Sequence, residues 1–405
     1  MTVFQISSEL NIGSVGRIAE QIGEAVLAKG GKSIIAYGRE GAASKSSSYK
    51  IGDKVDFYIH ALGTRFTDRH GFFSIGATKK LIREIERINP DVIHMQHLHG
   101  YYINIELLFN FLATFGKPII WTFHDCWSYT GHCAYYDLVG CSKWQTECGH
   151  CPQLGEYPKA FFKDNSRRNF LDKKRLFNSV KNLTIVPVSK WLEKEVRKSF
   201  LSSHRIKTIQ NGIDVDKFRY SGNNIKTQFN IEDKFVILGV ANPWDTRKGL
   251  RFFIEMASSL TDRFQIVLIG LSKRQIAELP PNIIALKRTN NIDELVDFYS
   301  SADVFVNPTL EDTFPTTNLE ALACGTPVVT FDSGGSSEAV DAGTGIVVRQ
   351  KDSASLSEAI FEIERNGKAY YSSNCKERAR NNFKKEDRFQ DYIELYYDIL
   401  NKSSR

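Results

Sequence analysis

Val304-Phe305-Val306-Asn307-Pro308-Thr309-Leu310-Glu311-Asp312-Thr313-Phe314-Pro315-Thr316-Thr317-Asn318-Leu319-Glu320-Ala321-Leu322-Ala323-Cys324-Gly325-Thr326-Pro327-Val328-Val329 is the stretch from which the fold is read. An apolar run opens it. A polar loop, a short helical run, a stop at Gly325 and a second apolar run follow. Buried strand, crossover helix and buried strand, in that order, make up the unit of a parallel sheet. The rhythm continues upstream. Residues 235–240, 264–269 and 283–286 read as strands, and residues 249–260, 293–301 and 318–323 as helices. In the first half, residues 2–6, 32–37, 91–94, 118–123, 183–187 and 206–209 read as strands, and residues 17–29, 79–88 and 190–199 as helices, the last capped by Ser189.

The chain has 405 residues, and at roughly 150 residues per domain two doubly wound α/β domains account for it. The expected boundaries are residues 1–215, with a cysteine-rich insertion at 126–158, then residues 216–386, with a linker near 213–228. A last helix at 387–405 carries Phe389, Tyr392, Tyr396 and Tyr397, aromatics that need a surface to cover. No repeat of solenoid period is present. The net charge is +6, but it is not evenly spread: residues 1–220 hold 31 Lys/Arg against 21 Asp/Glu, and the remainder 22 against 26. The first half is the one placed to meet an anionic partner. The N-terminus lacks the basic and long apolar regions of a secretory signal, and the apolar runs fall far short of the roughly 20 residues of a spanning helix. A cytoplasmic protein is expected, with room for peripheral contact at the inner face of a membrane. Nucleic acid is not an expected partner, because no binding motif is present.

Ligands of doubly wound sheets bind beyond the carboxyl ends of the strands, so the strand-to-helix turns matter most. After the first strand comes Gly13-Ser14-Val15-Gly16-Arg17, either an anion-accepting turn or a tight turn needing positive φ. It is not the dinucleotide fingerprint. After residues 118–123 comes His124-Asp125, with His124 suited to a sugar hydroxyl or a proton transfer, or else a satisfied core histidine, and Asp125 equally a helix or turn cap. After residues 235–240 comes Arg247-Lys248-Gly249, a point charge and a fork suited to a diphosphate, or else a solvated pair. In the opening stretch, Asp312 and Glu320 are placed to accept from sugar hydroxyls, and Thr316 and Thr317 start a helix whose N–H groups suit phosphate oxygens. Thr317-x-x-Glu320 also matches a capping box, which explains Glu320 without a ligand.

Taken together, Gly13–Arg17, His124-Asp125, Asn211-Gly212-Ile213-Asp214 with Phe218, Arg247-Lys248-Gly249, Asp312-x7-Glu320, Leu322–Val329 and Gly334-Gly335 with Glu338 resemble the family-4 glycosyltransferases over nearly the whole chain. That family's members are retaining enzymes of GT-B architecture, with two facing Rossmann-like domains. The resemblance implies a nucleotide-diphosphate sugar as donor and a saccharide or lipid-linked saccharide as acceptor, in cell-surface polysaccharide synthesis. It implies that Glu320 binds ribose hydroxyls and that Asp312 holds the transferred sugar. Lys248 and Arg247 neutralise the leaving diphosphate, and amides around Phe314, Pro315, Thr316 and Thr317 contact sugar and phosphates. Gly16 lies near the β-phosphate and His124 near the reacting carbon. No cofactor is implied for catalysis. The chain departs from the pattern twice. Asp312 stands where Glu is usual, with Glu311 as a neighbouring candidate, and Asn242 stands where Arg is frequent. These departures motivate one rival, a non-catalytic nucleotide-sugar-binding or scaffold protein, and the shared architecture offers another, an epimerase.

Cys133, Cys141, Cys148 and Cys151 follow the spacing C-x7-C-x6-C-x2-C. A structural zinc site of four thiolates, small buried thiols, and two disulfides are the alternatives. The basic residues Lys163, Arg167, Arg168, Lys173, Lys174 and Arg175, and Lys190, Lys194, Arg197 and Lys198 on one helix, are either solvated faces or a surface for anionic lipid.

Overall fold

The computed structural model describes residues 1–403. The chain forms two compact units, Met1–Gln210 together with the chain from Arg388 onward, and Asn211–Asp387. Each is built on one parallel sheet with helical crossovers.

In the first unit the strands are β1 (Thr2–Ser7), β2 (Lys32–Tyr37), β3 (Ser47–Lys50), β4 (Val92–Met95), β5 (Ile119–Phe123), β6 (Leu183–Pro187) and β7 (Arg205–Ile206). Their order is β3-β2-β1-β4-β5-β6-β7. Every residue of β4, β5 and β6 is buried, as expected of parallel strands covered on both faces. The last helix, Lys385–Ser403, lays Phe389, Tyr392, Ile393, Leu395, Tyr396 and Ile399 against Val3, Ile18, Ile22, Val92, Ile120 and Val186. Each large apolar side chain buried there contributes on the order of 2 kcal/mol. Tyr396 Oη lies 2.6 Å from His94 Nδ1, and Tyr392 Oη 3.2 Å from Thr122 Oγ1. Three of the four expected aromatics are buried, whereas Tyr397 faces solvent.

The second unit holds β8 (Phe235–Val240), β9 (Phe264–Ile269), β10 (Ile283–Leu286), β11 (Val304–Asn307), β12 (Val328–Phe331) and β13 (Gly345–Val348), in the order β10-β9-β8-β11-β12-β13. The chain leaves the first unit at Gln210 and returns at Arg388. The polar stretch near 213–228 therefore lies inside the second unit. Asp214 Oδ1 accepts the N–H groups of Asp216 and Lys217, and Phe218 and Ile225 are buried.

In each sheet the direction of winding reverses once, between β1 and β4 and between β8 and β11. Those two switch points are where a doubly wound sheet opens a crevice for ligand.

Candidate functional site

In the second unit the loops leaving β8 and β11 are interlocked. Asp245 caps the turn Thr246–Lys248, its Oδ1 accepting the Lys248 N–H at 3.1 Å. Gly249 has φ 74°, and a Cβ there would sit 2.2 Å from the Pro308 carbonyl oxygen. Only glycine admits that approach. The Leu310 N–H donates to the Arg247 carbonyl at 2.7 Å. The Arg247 guanidinium donates to the Glu311 carbonyl and to Asp245 Oδ2, each at 3.1 Å. Arg247 thus braces the two loops against each other.

The result is a pair at the switch point: Lys248 Nζ lies 2.5 Å from Asp312 Oδ2. Both are partly exposed, at 21% and 13% of their side-chain surface, so the pair is held in place yet reachable. The backbone of Asp312 is fixed from behind by the Gly335 N–H, which donates to its carbonyl at 2.9 Å. Asp312 Oδ1 accepts the Phe314 N–H at 3.3 Å. Of the two neighbouring carboxylates, Glu311 is buried and Asp312 is the one that meets the lysine. Asn242 is exposed.

The helix Thr316–Ala323 starts two residues earlier than the sequence suggests, and Pro315 is its N-cap with no side-chain cap. The capping box at Thr317 is therefore absent: Thr317 lies inside the first turn, where its backbone is already helical. Glu320 instead accepts from the Tyr299 hydroxyl at 2.8 Å. The helix is anchored from below by buried Asn318, whose Oδ1 accepts from Asn307 Nδ2 at 2.7 Å and whose Nδ2 donates to the Ser336 carbonyl at 3.0 Å. Lys248, Asp312, Phe314, Pro315, Thr316, Thr317 and Glu320 thus belong to one loop-and-helix assembly. It offers a cation, carboxylates and helix N–H groups, the groups a sugar diphosphate requires.

In the first unit the helix Gly13–Ala28 also begins earlier than expected, so Gly16 lies in its first turn. A Cβ on Gly16 would lie 3.2 Å from the backbone of Glu9 and Asn11. Gly16 lets the loop after β1 fold against the helix, and the Asn11 N–H donates to the Gly16 carbonyl at 3.2 Å. His124 follows β5 and is 8% exposed, with Nε2 2.8 Å from Gln96 Oε1. Burial pushes its pKa down to about 4 against the opposing charge of Asp125, so it is neutral near pH 7.

Two histidines beside His124 and Asp125 escaped sequence reasoning. His97, His99 and Asp125 present ring nitrogens and a carboxylate oxygen within 4.8 Å of one another. His99 Nε2 is 2.6 Å and His97 Nε2 3.4 Å from Asp125 Oδ2. Burial would raise the Asp125 pKa. The charge and hydrogen bond of His99, then His97 and the Trp127 N–H, outweigh it and hold the carboxyl well below its usual range. His97 Nε2 is buried and lacks a hydrogen-bond partner. Tyr157 and Trp127 wall this cluster, their rings 5.4 and 5.6 Å from that of His99, with the Tyr157 hydroxyl 3.0 Å from His99 Nδ1. The signal was in the sequence: His97-x-His99 follows β4, the neighbour of β5, at the same sheet end as His124.

None of the seven cysteines is in a disulfide in this structure. Cys133, Cys141, Cys148 and Cys151 line one cavity of about 20 Å³ together with His132 and Trp144. Lys173, expected on a solvated basic face, is buried. Its ammonium donates to the Trp127 and Thr130 carbonyls at 2.7 and 3.1 Å and lies 3.4 Å from the Trp127 ring centroid. Helical periodicity turns it inward with Asn169, Phe170, Leu176 and Phe177. Several of the other basic residues are paired: Arg197 with Glu193, Lys198 with Glu195, Arg167 with Glu147 and Arg175 with Glu106. A different surface feature emerges on the helix Lys54–Thr67. Val55, Tyr58, Ile59, Leu62 and Phe66 form an apolar stripe, joined by Phe161 and Phe162, each more than half exposed. Phe66 and Phe162 stack at 5.2 Å.

Comparison with known proteins agrees with this geometry. Residues 15–217 match the model described as Glycosyltransferase Family 4, and residues 234–366 match that of Glycosyl transferases group 1. The chain belongs to glycosyltransferase family 4, and its two Rossmann-like domains are those of the GT-B fold. It is 24% identical, over 98% of its length and all of the relative's, to the Escherichia coli (strain K12) protein named "Putative colanic acid biosynthesis glycosyl transferase WcaC". It is 30% identical, over 41% of its length and 46% of the relative's, to the N,N'-diacetylbacillosaminyl-diphospho-undecaprenol alpha-1,3-N-acetylgalactosaminyltransferase of Campylobacter jejuni. Among solved structures it resembles sucrose-phosphate synthase from Thermosynechococcus elongatus (TM-score 0.72, 17% identity, 99% of each chain). It also resembles Anabaena HepE in complex with UDP-glucose (TM-score 0.64, 14% identity, 98% and 99% of the two chains). No helix among the described residues is long and apolar enough to cross a membrane.

Proposed function

We propose that this glycosyltransferase moves a hexose or related sugar, with retention, from a nucleotide-diphosphate sugar to a saccharide or lipid-linked saccharide during cell-surface polysaccharide assembly. The observation that carries the reading is the Lys248–Asp312 pair, 2.5 Å apart at the switch point of the second unit beside a helix N-terminus without a side-chain cap. Cleavage of the anomeric C–O bond leaves negative charge on the departing diphosphate, and a preorganised ammonium and aligned N–H groups stabilise that charge most as it develops. In this reading Lys248 receives the phosphate and releases Asp312 to accept from a sugar hydroxyl. Glu320, oriented by Tyr299, accepts from the ribose. The acceptor oxygen bonds to the anomeric carbon on the face the diphosphate leaves, and its proton passes to a departing phosphate oxygen. No metal or cofactor enters these steps. Gly16 admits a phosphate near the first helix N-terminus.

In the first unit, neutral His124 lies beside the His97–His99–Asp125 cluster, where imidazoles and a carboxylate stand among aromatic walls. That arrangement suits an acceptor sugar. The apolar stripe of the helix Lys54–Thr67, flanked by Lys54, Arg65, Lys159 and Lys163, supports peripheral contact with an anionic bilayer, where a lipid-linked acceptor would be met.

The relatives named for polysaccharide and undecaprenol-linked chemistry, and the UDP-glucose complex of the structural neighbour, support the choice of partners. The test is a panel of nucleotide-sugars with lipid-linked and free saccharide acceptors, the product's anomeric configuration being read by proton NMR. Transfer with the donor's configuration supports the proposal, and an inverted product contradicts it. Binding without turnover on every acceptor returns the binder reading, and conversion of donor without acceptor the epimerase reading.

A further inference from the structure

The cysteine loop contributes nothing to the chemistry above, yet it brings four thiols to the wall of one small cavity. Four cysteines separated by up to eighteen positions in sequence, Cys133, Cys141, Cys148 and Cys151, line a single cavity of about 20 Å³. That is room for one ion or one water. Trp144 and Thr130 close the cavity, and none of the four sulfurs is in a disulfide. Cys133 is buried and the other three are half-buried, and no three of the four sulfurs lie within 4.8 Å of one another, so an ion would have to draw them together.

The surroundings are arranged for negative charge. The Gly131 N–H donates to Cys148 Sγ at 3.2 Å, the contact that backbone amides make to a metal-bound sulfur. Gly131 has to be glycine, because a Cβ there would lie 2.1 Å from the Ser166 carbonyl oxygen and 2.8 Å from Cys148 Cβ. The buried Lys173 ammonium is tied to the Trp127 and Thr130 carbonyls on the same loop. His132, also lining the cavity, holds Asp68 through Nδ1 at 2.5 Å and keeps its buried Nε2 without a hydrogen-bond partner.

We infer that Cys133, Cys141, Cys148 and Cys151 bind one zinc ion as a closed four-thiolate site that fastens the loop after β5 to the first unit. Binding releases four thiol protons and leaves a centre of net charge −2, with no change of oxidation state. Coordination at about 2.3 Å draws the four sulfurs onto a common centre and leaves no open position for water, so the ion is structural. The Lys173 ammonium offsets part of its charge. Because Trp127 and Asp125 lie at the root of the same loop, the knot also sets the walls of the His97–His99–Asp125 cluster.

The experiment is metal analysis of the full-length protein, purified without added metal, by inductively coupled plasma mass spectrometry, with intact mass recorded in parallel. One zinc per chain is expected. Exchange for cobalt is expected to give the intense sulfur-to-metal absorption and the visible bands of a tetrahedral four-sulfur site. Removal of zinc by a chelator is expected to lower the melting temperature by several degrees, and added zinc to restore it. Cys148→Ser is expected to lose the ion, while Cys324→Ser, which alters a cysteine of the other unit, retains it. If Cys148→Ser does not fold, the wild-type metal content and cobalt spectrum decide alone. Protein free of metal with all seven thiols titratable overturns the inference, as does a mass lowered by disulfide formation or a cobalt spectrum lacking sulfur ligation.

Discussion

The two units share one sheet plan but use ionisable residues in opposite ways. All nine histidines and five of the seven cysteines lie in the first unit, and the second contains no histidine. The first unit carries 32 Lys/Arg against 22 Asp/Glu, the second 21 against 25. At its switch point the second unit presents the partly exposed Lys248–Asp312 pair and an uncapped helix, which suits binding and releasing a charged diphosphate. The first unit buries its titratable groups in networks, as at His94 between Tyr396 and Thr122. This suits recognition of hydroxyls by neutral donors and acceptors, at the cost of sensitivity to acid.

The largest effect that sharpens this contrast is expected at Lys248. Lys248→Ala should lower kcat/KM for transfer by about 100- to 1000-fold and leave the melting temperature nearly unchanged, because a partly exposed pair contributes little to stability. Steady-state kinetics and a thermal melt check both halves of that statement.

Acid separates the units next. Burial lowers the pKa of His60 and His94 to about 3 and that of His124 to about 4. Unfolded histidine titrates near pH 6.5, so between about pH 6.5 and 4 the unfolded chain binds protons that the native first unit refuses. Stability therefore falls as pH drops through that window, by up to about 1.4 kcal/mol per pH unit for each group. The second unit has no such groups. Hydrogen exchange at pH 7 and pH 4.5 should show protection lost in β4 and β5 before β8 and β11. Simultaneous loss would break the comparison.

The apolar stripe is expected to matter for location rather than chemistry. Ile59→Asp combined with Phe162→Asp should weaken sedimentation with vesicles of anionic lipid by about 10-fold or more, with turnover on a water-soluble acceptor preserved. The smallest effect is expected at Tyr299→Phe. Loss of its hydrogen bond to Glu320 costs about 1 kcal/mol, seen as a donor KM raised about fivefold with kcat little changed.

Much of the second unit was legible in the sequence because its chemistry is local. Asp312, Thr316, Thr317 and Glu320 lie within one loop and one helix, and β8, β9, β10 and β11 are plain apolar runs with the bounds read from them. What local pattern conceals is the partner brought by another strand. Tyr299 reaches Glu320 from the preceding crossover helix, and Arg247 turns out to tie the two loops together. In the first unit, β3 (Ser47–Lys50) was missed because it is a short, largely exposed edge strand without apolar alternation. The His97–His99–Asp125 cluster was missed because it exists only through the β4–β5 pairing. Lys173 misled because a run of cations reads as surface, whereas one residue in a helical turn faces inward whatever its neighbours are.

The account rests on Lys248 and its helix as the seat of a nucleoside diphosphate. Isothermal titration of UDP, GDP and ADP into wild-type protein and Lys248→Ala tests it most directly. One nucleotide should bind the wild type, with affinity reduced about 10- to 100-fold in the variant. Equal affinity in the two proteins would contradict it.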